Sequence, residues 1–166
     1  FDFSFGGDIK LIKRSIKDNM GTGTGLDFGF KAKTDLAVIF DQEDFGNLHF
    51  GLNFQDLAGT DITWNTDSEI KDEVLFNTKM GVAIEQPIPP LNSTVCVAYD
   101  YDYVYNGTKH YGIDWEYDNK MGVRAGYYDK NFSWGASVKL YGVIIDYAMV
   151  TNPIGLTNRL GLRVKF

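Results

Sequence analysis

Polar and apolar residues alternate with a period of two along most of this chain. The pattern is clearest in the last segment, where Gly161, Arg163 and Lys165 separate the apolar positions. Side chains point alternately to opposite faces of an extended strand, so this spacing predicts a β-strand with one apolar and one polar face. The apolar residues of this strand are Leu160, Leu162, Val164 and Phe166.

Four segments before it carry the same alternation, at 113–118, 121–128, 132–140 and 143–149. These segments are six to nine residues long, approaching the roughly 9–11 residues that a tilted strand needs to cross a bilayer. The joins between them are only a few residues long, and such joins connect antiparallel neighbours as hairpins. The C-terminal half is therefore predicted to be a meander of antiparallel strands.

The N-terminal half repeats this pattern with longer connections. Strands are predicted over about 1–14, 26–33, 48–55, 76–84 and 95–103, and loops over 15–24 and 56–73 because these segments are rich in Gly, Thr and Asp. The segment 34–46 holds a continuous apolar run, which fits a short extra strand, a half-turn of helix or a plug-like insert. The predicted fold is all-β: an antiparallel up-and-down transmembrane β-barrel of about ten strands.

The apolar face of these strands is predicted to lie outside, towards lipid. The positions that test this facing are Phe3, Phe28, Phe50, Val97, Trp115, Val123, Trp134, Ile145 and Leu162. Amphipathic aromatic rings suit the membrane–water interface, so the rings at strand ends are predicted to form two belts. One belt holds Tyr101, Tyr103, Tyr111, Tyr127 and Phe132, and the other holds Tyr117, Tyr141 and Phe166.

On the polar face, most pairs of neighbouring strands carry charges of opposite sign. Facing side chains on adjacent strands lie within contact distance, and an unpaired charge inside a narrow barrel is costly. We therefore predict a ladder of ion pairs in the lumen, in which Asp146 contacts Lys139 or Arg163 and Arg124 contacts Asp114 or Glu116. The full ladder is Asp114, Glu116, Arg124, Lys139, Asp146, Arg163 and Lys165.

Composition narrows the classes of function. The net charge is −6, and without a basic stripe to neutralise phosphates we expect no nucleic-acid partner. The single Cys96 excludes an internal disulfide framework and a multi-cysteine metal site. The chain starts inside a strand at Phe1 without a signal peptide. We therefore expect one β-barrel domain over residues 1–166, as a fragment or processed chain lacking upstream strands.

No motif indicates an enzyme. Glycines in 21–25 resemble a phosphate loop, but they lead into a predicted strand rather than a helix, so we interpret the segment as a flexible loop. Alternation alone places the carboxylates of Asp100 and Asp102 on one face. His49 and His110 lack a nucleophile or a metal-ligand spacing nearby. We therefore assign no catalytic, cofactor-binding or metal-binding residue.

Several segments resemble one family of membrane proteins. They are 25–30, with its alternating glycines and aromatics, 48–59, the strand 122–127 (Gly-Val-Arg-Ala-Gly-Tyr) and the closing 158–166. Together they resemble the C-terminal part of outer-membrane β-barrels related to the FadL long-chain fatty acid transporters, closest to their PorV-like branch. The terminal strand ending on Phe166 resembles the signal that the outer-membrane assembly machinery reads.

The resemblance implies a bacterial outer-membrane location, with outer-membrane lipid and the barrel assembly machinery as partners. It implies passage of hydrophobic small molecules, or alternatively a PorV-like subunit of a type IX secretion or surface-attachment complex that binds other subunits of that complex. The residue pattern leaves a third possibility open. A soluble lipid-binding β-barrel would turn the same apolar face inward around a ligand.

Overall fold

The structure is a computed structural model that describes residues 1–43, 45–57, 59–66, 70–104 and 107–164. Within these ranges the chain forms twelve strands in one antiparallel sheet. The strands are β1 Asp2–Ile16, β2 Asn19–Asp35, β3 Asn47–Gln55, β4 Thr60–Trp64, β5 Lys71–Val74, β6 Asn77–Ile88, β7 Ser93–Asp102, β8 Thr108–Tyr117, β9 Met121–Tyr128, β10 Asn131–Leu140, β11 Val143–Asn152 and β12 Gly155–Val164. The predicted all-β, antiparallel up-and-down fold is confirmed, and the sheet is not closed: among the described strands β1 pairs only with β2, and β12 only with β11.

The twelve strands occupy ten rows of the sheet. β1 covers one edge of β2, so β3 and β4 share the other edge, β3 at 28–35 of β2 and β4 at 21–23. In the next row β6 pairs with β3 and β5 pairs with β4. Because β4 continues β3 and β5 leads into β6, twelve strands minus two continuations leave ten rows. This agrees with the count of about ten strands expected from the alternation.

Tight turns connect the C-terminal rows. Asp118 and Asn119 have positive φ values of 48° and 51°, and Asp129 and Lys130 have values of 40° and 66°. Two successive positive φ values match the right-handed twist of the flanking strands, so these short joins form hairpins as predicted. The Lys120 ammonium pairs with the Asp118 carboxylate, and this hydrogen bond raises the pKa of Lys120 above its usual value.

Two predicted loops are wrong. Residues 15–24 lie mostly in strands, because β1 turns at 17–18 into β2, so the glycine-rich segment 21–25 is extended strand and not a loop. The segment 56–73 contains the β4–β5 hairpin rather than one long loop. The glycines make room for that hairpin: a Cβ on Gly23 would lie 2.6 Å from the carbonyl oxygen of Asp61.

The β4–β5 hairpin packs its inner side chains tightly. Ile62 and Trp64 are the only buried hydrophobic residues in the described part of the chain. The indole Nε1 of Trp64 donates a hydrogen bond of 2.9 Å to the Asp72 carboxylate, which satisfies the polar end of a buried ring. Trp64 is also the register partner of Gly21, and the ring covers the face that this glycine leaves open.

The undecided segment 34–46 contains one turn of helix, α1 Leu36–Phe40. Asp35 caps it, because its carboxylate accepts a hydrogen bond of 2.9 Å from the Ala37 N–H. The Leu36 N–H donates to the Gly46 carbonyl at 2.9 Å and closes the connection. A 3₁₀ turn, Pro89–Leu91, makes the proline-rich join between β6 and β7. No helix in the described ranges is long and apolar enough to span a membrane.

Candidate functional site

Strand registers assign each side chain to one of two faces. Trp115, Val123, Ala136, Tyr147 and Leu160 are successive partners across β8 to β12 and share the apolar face. One residue along, the partners are Glu116, Gly122, Ser137, Asp146 and Gly161, which share the charged face. Because directly opposed residues in an antiparallel pair point to the same side, each face is continuous across these rows.

The apolar face is exposed along the sheet. The nine positions expected to face outward are each at least 37% exposed: Phe3, Phe28, Phe50, Val97, Trp115, Val123, Trp134, Ile145 and Leu162. The apolar residues of the C-terminal strand are exposed too, with Leu160 at 80% and Val164 at 48%. Phe166, the last residue of the expected assembly signal, lies outside the described residues. Contact of this face with lipid stays a prediction.

Aromatic rings gather at one end of the apolar face. Tyr99, Tyr111, Tyr127 and Phe132 are successive register partners, and the Tyr99 and Tyr111 ring centroids lie 5.2 Å apart. Tyr101 contacts Tyr103 edge-on near the same end, at 4.6 Å between centroids. Three members of the expected first belt therefore share one row with Tyr99. Their depth in a membrane stays a prediction.

Ion pairs connect four strands on the charged face. Asp114 Oδ2 lies 3.6 Å from Arg124 Nε, and Arg163 Nη2 lies 3.6 Å from Asp146 Oδ2. Arg124 Nη2 also reaches Asp146 Oδ1 at 3.9 Å and donates to the Ser137 hydroxyl at 3.2 Å. Both contacts expected from the charge alternation are therefore present. Arg124 bridges β8 and β11, because the glycines between them leave the space above β10 free.

Gly135 shows how that space arises. It is the register partner of Arg124, and a Cβ there would lie 3.2 Å from Arg124 Cγ. Glu116 and Lys139 lie in the same groove of about 270 Å³ as Asp146, but neither has an oppositely charged partner within 4.0 Å among the described residues. Lys165 of the expected ladder lies outside the described residues. A lumen in front of this face stays a prediction.

A second charged cluster lies at the N-terminal end of the sheet. Lys10 Nζ lies 2.8 Å from Asp27 Oδ1 and 2.8 Å from Asp56 Oδ1. Asp56 Oδ1 also accepts a hydrogen bond of 2.8 Å from the Thr60 hydroxyl, and Thr60 is fully buried. We call Lys10, Asp27, Asp56 and Thr60 the lysine cluster. No sequence pattern indicated this cluster, because Lys10, Asp27 and Asp56 are distant in the chain and meet only through β1–β2 pairing and the β3–β4 bend.

An open groove of about 590 Å³ lies beside the lysine cluster on the charged face. Lys31, Asn53, Lys79 and Asp100 contribute polar groups, and glycines form much of the remaining lining. Lys79 Nζ pairs with Asp102 Oδ2 at 3.0 Å at the next level of the sheet. Such a lining offers both charges and hydrogen-bonding groups.

Three residues weighed for chemistry occupy separate places. His49 Nε2 lies 3.8 Å from Glu85 Oε2 without a hydrogen bond. His110 stacks on Tyr128 with ring centroids 4.5 Å apart. Cys96 is a free thiol on the charged face, in register with Glu85 and Asp114. Within the described ranges, no three His, Cys, Asp or Glu residues are placed to hold a metal ion.

Comparison with protein-family models, curated proteins and solved structures found no match for this chain.

Proposed function

We propose that this chain forms the wall of a bacterial outer-membrane β-barrel of the hydrophobic-compound transport class. The supporting observation is the exposed apolar face. It runs from β1 to β12, while only Ile62 and Trp64 are buried as hydrophobic residues in the described ranges. A water-soluble sheet would leave this face in water, because no described element forms a second layer over it. Lipid provides such a cover for a protein with one apolar face.

Residue size favours the apolar face as the outer one. The charged face holds Gly112, Gly126 and Ala98 in one row, and Gly135 and Ala148 in another. The apolar face holds tryptophan, tyrosine, phenylalanine and leucine at the corresponding positions. When a sheet curves, side chains on the concave side have less room, so the face of small residues suits the interior. This arrangement opposes a soluble barrel that turns its aromatic face inward around a ligand.

The transport class comes from the resemblance to FadL-related barrels. The charged face is compatible with it, since Asp146, Arg124 and Arg163 cross the inner surface and would obstruct a wide aqueous pore. A route for hydrophobic molecules does not require such a pore. The proposed partners are outer-membrane lipid, the barrel assembly machinery and hydrophobic small molecules.

The three tryptophans provide a test of lipid contact. Trp115 and Trp134 lie on the apolar face at 38% and 37% exposure, whereas Trp64 is buried at 8%. The chain is folded into phosphatidylcholine vesicles with and without brominated acyl chains, which quench indole fluorescence on contact. We expect strong quenching of Trp64→Phe, which keeps the two outer rings. The matched control, Trp115→Phe with Trp134→Phe, keeps only Trp64 and should resist quenching.

Two results would overturn the membrane assignment. One is equal quenching of both variants, and the other is a chain that is monodisperse without detergent and ignores vesicles. The second result would support a soluble lipid-binding barrel. The transport class needs its own measurement: uptake of a fluorescent fatty acid into vesicles that contain the chain should exceed uptake into empty vesicles. Equal uptake, with the tryptophan result intact, would leave a membrane protein without this transport role.

A further inference from the structure

The two end strands of the sheet each leave one edge without a partner among the described residues. β1 pairs with β2 only, and β12 pairs with β11 only. Every described residue of β12 is exposed, as are most residues of β1. A long unpaired edge presents a row of N–H and C=O groups that bind another strand. Inside a membrane such an edge is not tolerated, because water is absent there.

The sheet is strongly staggered. The row of register partners that begins at Asp2 crosses Lys33 and His49 and reaches Thr157 on β12. On the side of this row towards Ile16, β1 continues for fourteen residues, whereas β12 extends for only two, to its first residue Gly155. Counted along these rows, only residues 155–158 of β12 are level with the first residues of β1, and most of β1 extends beyond them. When a sheet closes into a barrel, a row of register partners followed around it returns to its first strand at a different residue. The number of residues between the starting and the returning position is the shear.

Geometry limits the shear. With a rise of about 3.3 Å per residue and rows about 4.8 Å apart, ten rows with shears of 10, 12 and 14 tilt by roughly 34°, 40° and 44°. Barrel strands tilt by about 35–45°. A displacement in the opposite direction would leave β12 without a partner among the residues of β1. The shear must also be even, since an odd value would place apolar residues of one strand beside polar residues of the other.

We propose that the chain closes its own sheet by pairing β12 antiparallel with β1 at a shear of 12. Leu160 then lies opposite Leu11, Leu162 opposite Ile9 and Arg163 opposite Asp8. All of β12, from Gly155 to Val164, is covered by residues 7–16 of β1. This deepens the proposed function, on which it rests: the ten rows from β1 to β12 form a closed wall.

Charge selects this register over its neighbours. A shear of 10 places Arg159 opposite Lys10. A shear of 14 places Arg163 opposite Lys10, and its pairing overruns the end of β1 at Ile16. Like charges directly opposite each other destabilise a strand pair, and opposite charges stabilise it. The shear of 12 sets the negative Asp8 beside Arg163, whose only described ion-pair partner is Asp146.

Disulfide trapping measures the register directly. In a Cys96→Ser background, Leu160→Cys is combined with Leu11→Cys for the proposed register. Matched controls combine it with Ile9→Cys for a shear of 10 and with Lys13→Cys for a shear of 14. Opposed residues have Cα atoms about 4.5–5.5 Å apart, within disulfide range, whereas a shift of two residues gives about 8 Å. After folding into vesicles and mild oxidation, we expect the Leu11 pair to form an intramolecular disulfide at least about ten times faster than either control.

Each other outcome contradicts the proposed pairing of β12 with β1 at a shear of 12. Faster trapping of a control pair would show a different register, and disulfide-linked dimers would show that a second copy holds the edge. If no pair forms while the tryptophan quenching persists, other strands lie between β1 and β12, and the membrane assignment stands without the closure. As a second measurement, Asp8→Arg should lower the urea midpoint of unfolding. Adding Arg163→Asp should restore part of it, and strictly additive losses would also contradict the pairing.

Discussion

Asp56 holds the most connected position in the lysine cluster. It follows β3 with a positive φ of 52°, and its carboxylate accepts from Thr60 and pairs with Lys10. Its N–H donates to the Asp27 carboxylate at 2.9 Å. The residue therefore fixes the bend between β3 and β4 through both backbone and side chain. Asp and Asn tolerate this backbone conformation better than most residues.

Replacing this carboxylate tests the lysine cluster. Asp56→Ala should destabilise the folded chain by about 2 kcal/mol, since it removes a hydrogen bond and a charge partner from a nearly buried site. Asp56→Asn keeps the tolerated backbone conformation and should cost less than the alanine variant. Asp2→Ala, at an exposed position, is the control and should change stability little. Urea unfolding of the detergent-folded chain measures all three, and equal midpoints for Asp56→Ala and Asp2→Ala would contradict the assignment.

Among the elements, β2 depends most on its glycines. Gly21, Gly23 and Gly25 point to the side where Thr60, Ile62 and Trp64 pack. A Cβ on Gly21 would lie 2.9 Å from Ile62 Cγ2, and one on Gly25 would lie 2.7 Å from Thr60 Oγ1. Glycine ordinarily weakens a strand, so this alternation reflects close approach of a neighbouring element. It also explains why composition suggested a loop here.

Two glycine substitutions with different expected effects on stability test this role. Gly23→Ala should destabilise the chain by about 1–3 kcal/mol, because the new methyl group meets the Asp61 carbonyl oxygen and the Ile62 side chain. Gly51→Ala, in β3, has nothing within 4 Å of the added Cβ. It should be neutral or stabilise by up to about 1 kcal/mol, because alanine loses less conformational freedom on folding. Thermal unfolding compares the two, and losses of equal size would argue against a packing role for Gly23.

At the scale of the whole molecule, contact of the apolar face with lipid or with water distinguishes a membrane barrel from a soluble protein. Ile113 lies in the middle of β8 on this face and is 49% exposed. Ile113→Lys should cost about 2–4 kcal/mol when the chain is folded in a bilayer, since a charge then faces hydrocarbon. Thr94→Lys, on the charged face opposite Glu116, is the control and should be tolerated.

The readout is the urea dependence of folding into vesicles. In water an exposed substitution changes stability by less than about 0.5 kcal/mol, so a harmless Ile113→Lys would indicate that the face contacts water. A larger loss for Thr94→Lys than for Ile113→Lys would reverse the assignment of the two faces.

Prediction from the sequence succeeded where the signal was local. Alternation located the C-terminal rows, and short joins such as 118–120 identified the hairpins between them. The same alternation, read across neighbouring strands, gave the Asp114–Arg124 and Asp146–Arg163 contacts. It failed at β2 and β4–β5, where glycine, threonine and aspartate predict loops from local preferences. There, packing between distant segments overrides those preferences, as β-propensity depends strongly on context.

The sequence by itself determined that this chain is an antiparallel meander of about ten rows with one apolar and one charged face. Both properties follow from the period of two and from the turn residues, which act over a few positions. Only the tertiary structure decided that β3 bends into β4, that Lys10 meets Asp27 and Asp56, and that the row of register partners through Asp2 reaches Thr157 on β12. These features depend on register summed over many strand pairs and on contacts between residues far apart in the chain. A local sequence pattern does not specify the alignment of distant strands, because that alignment accumulates from the register of every strand pair between them.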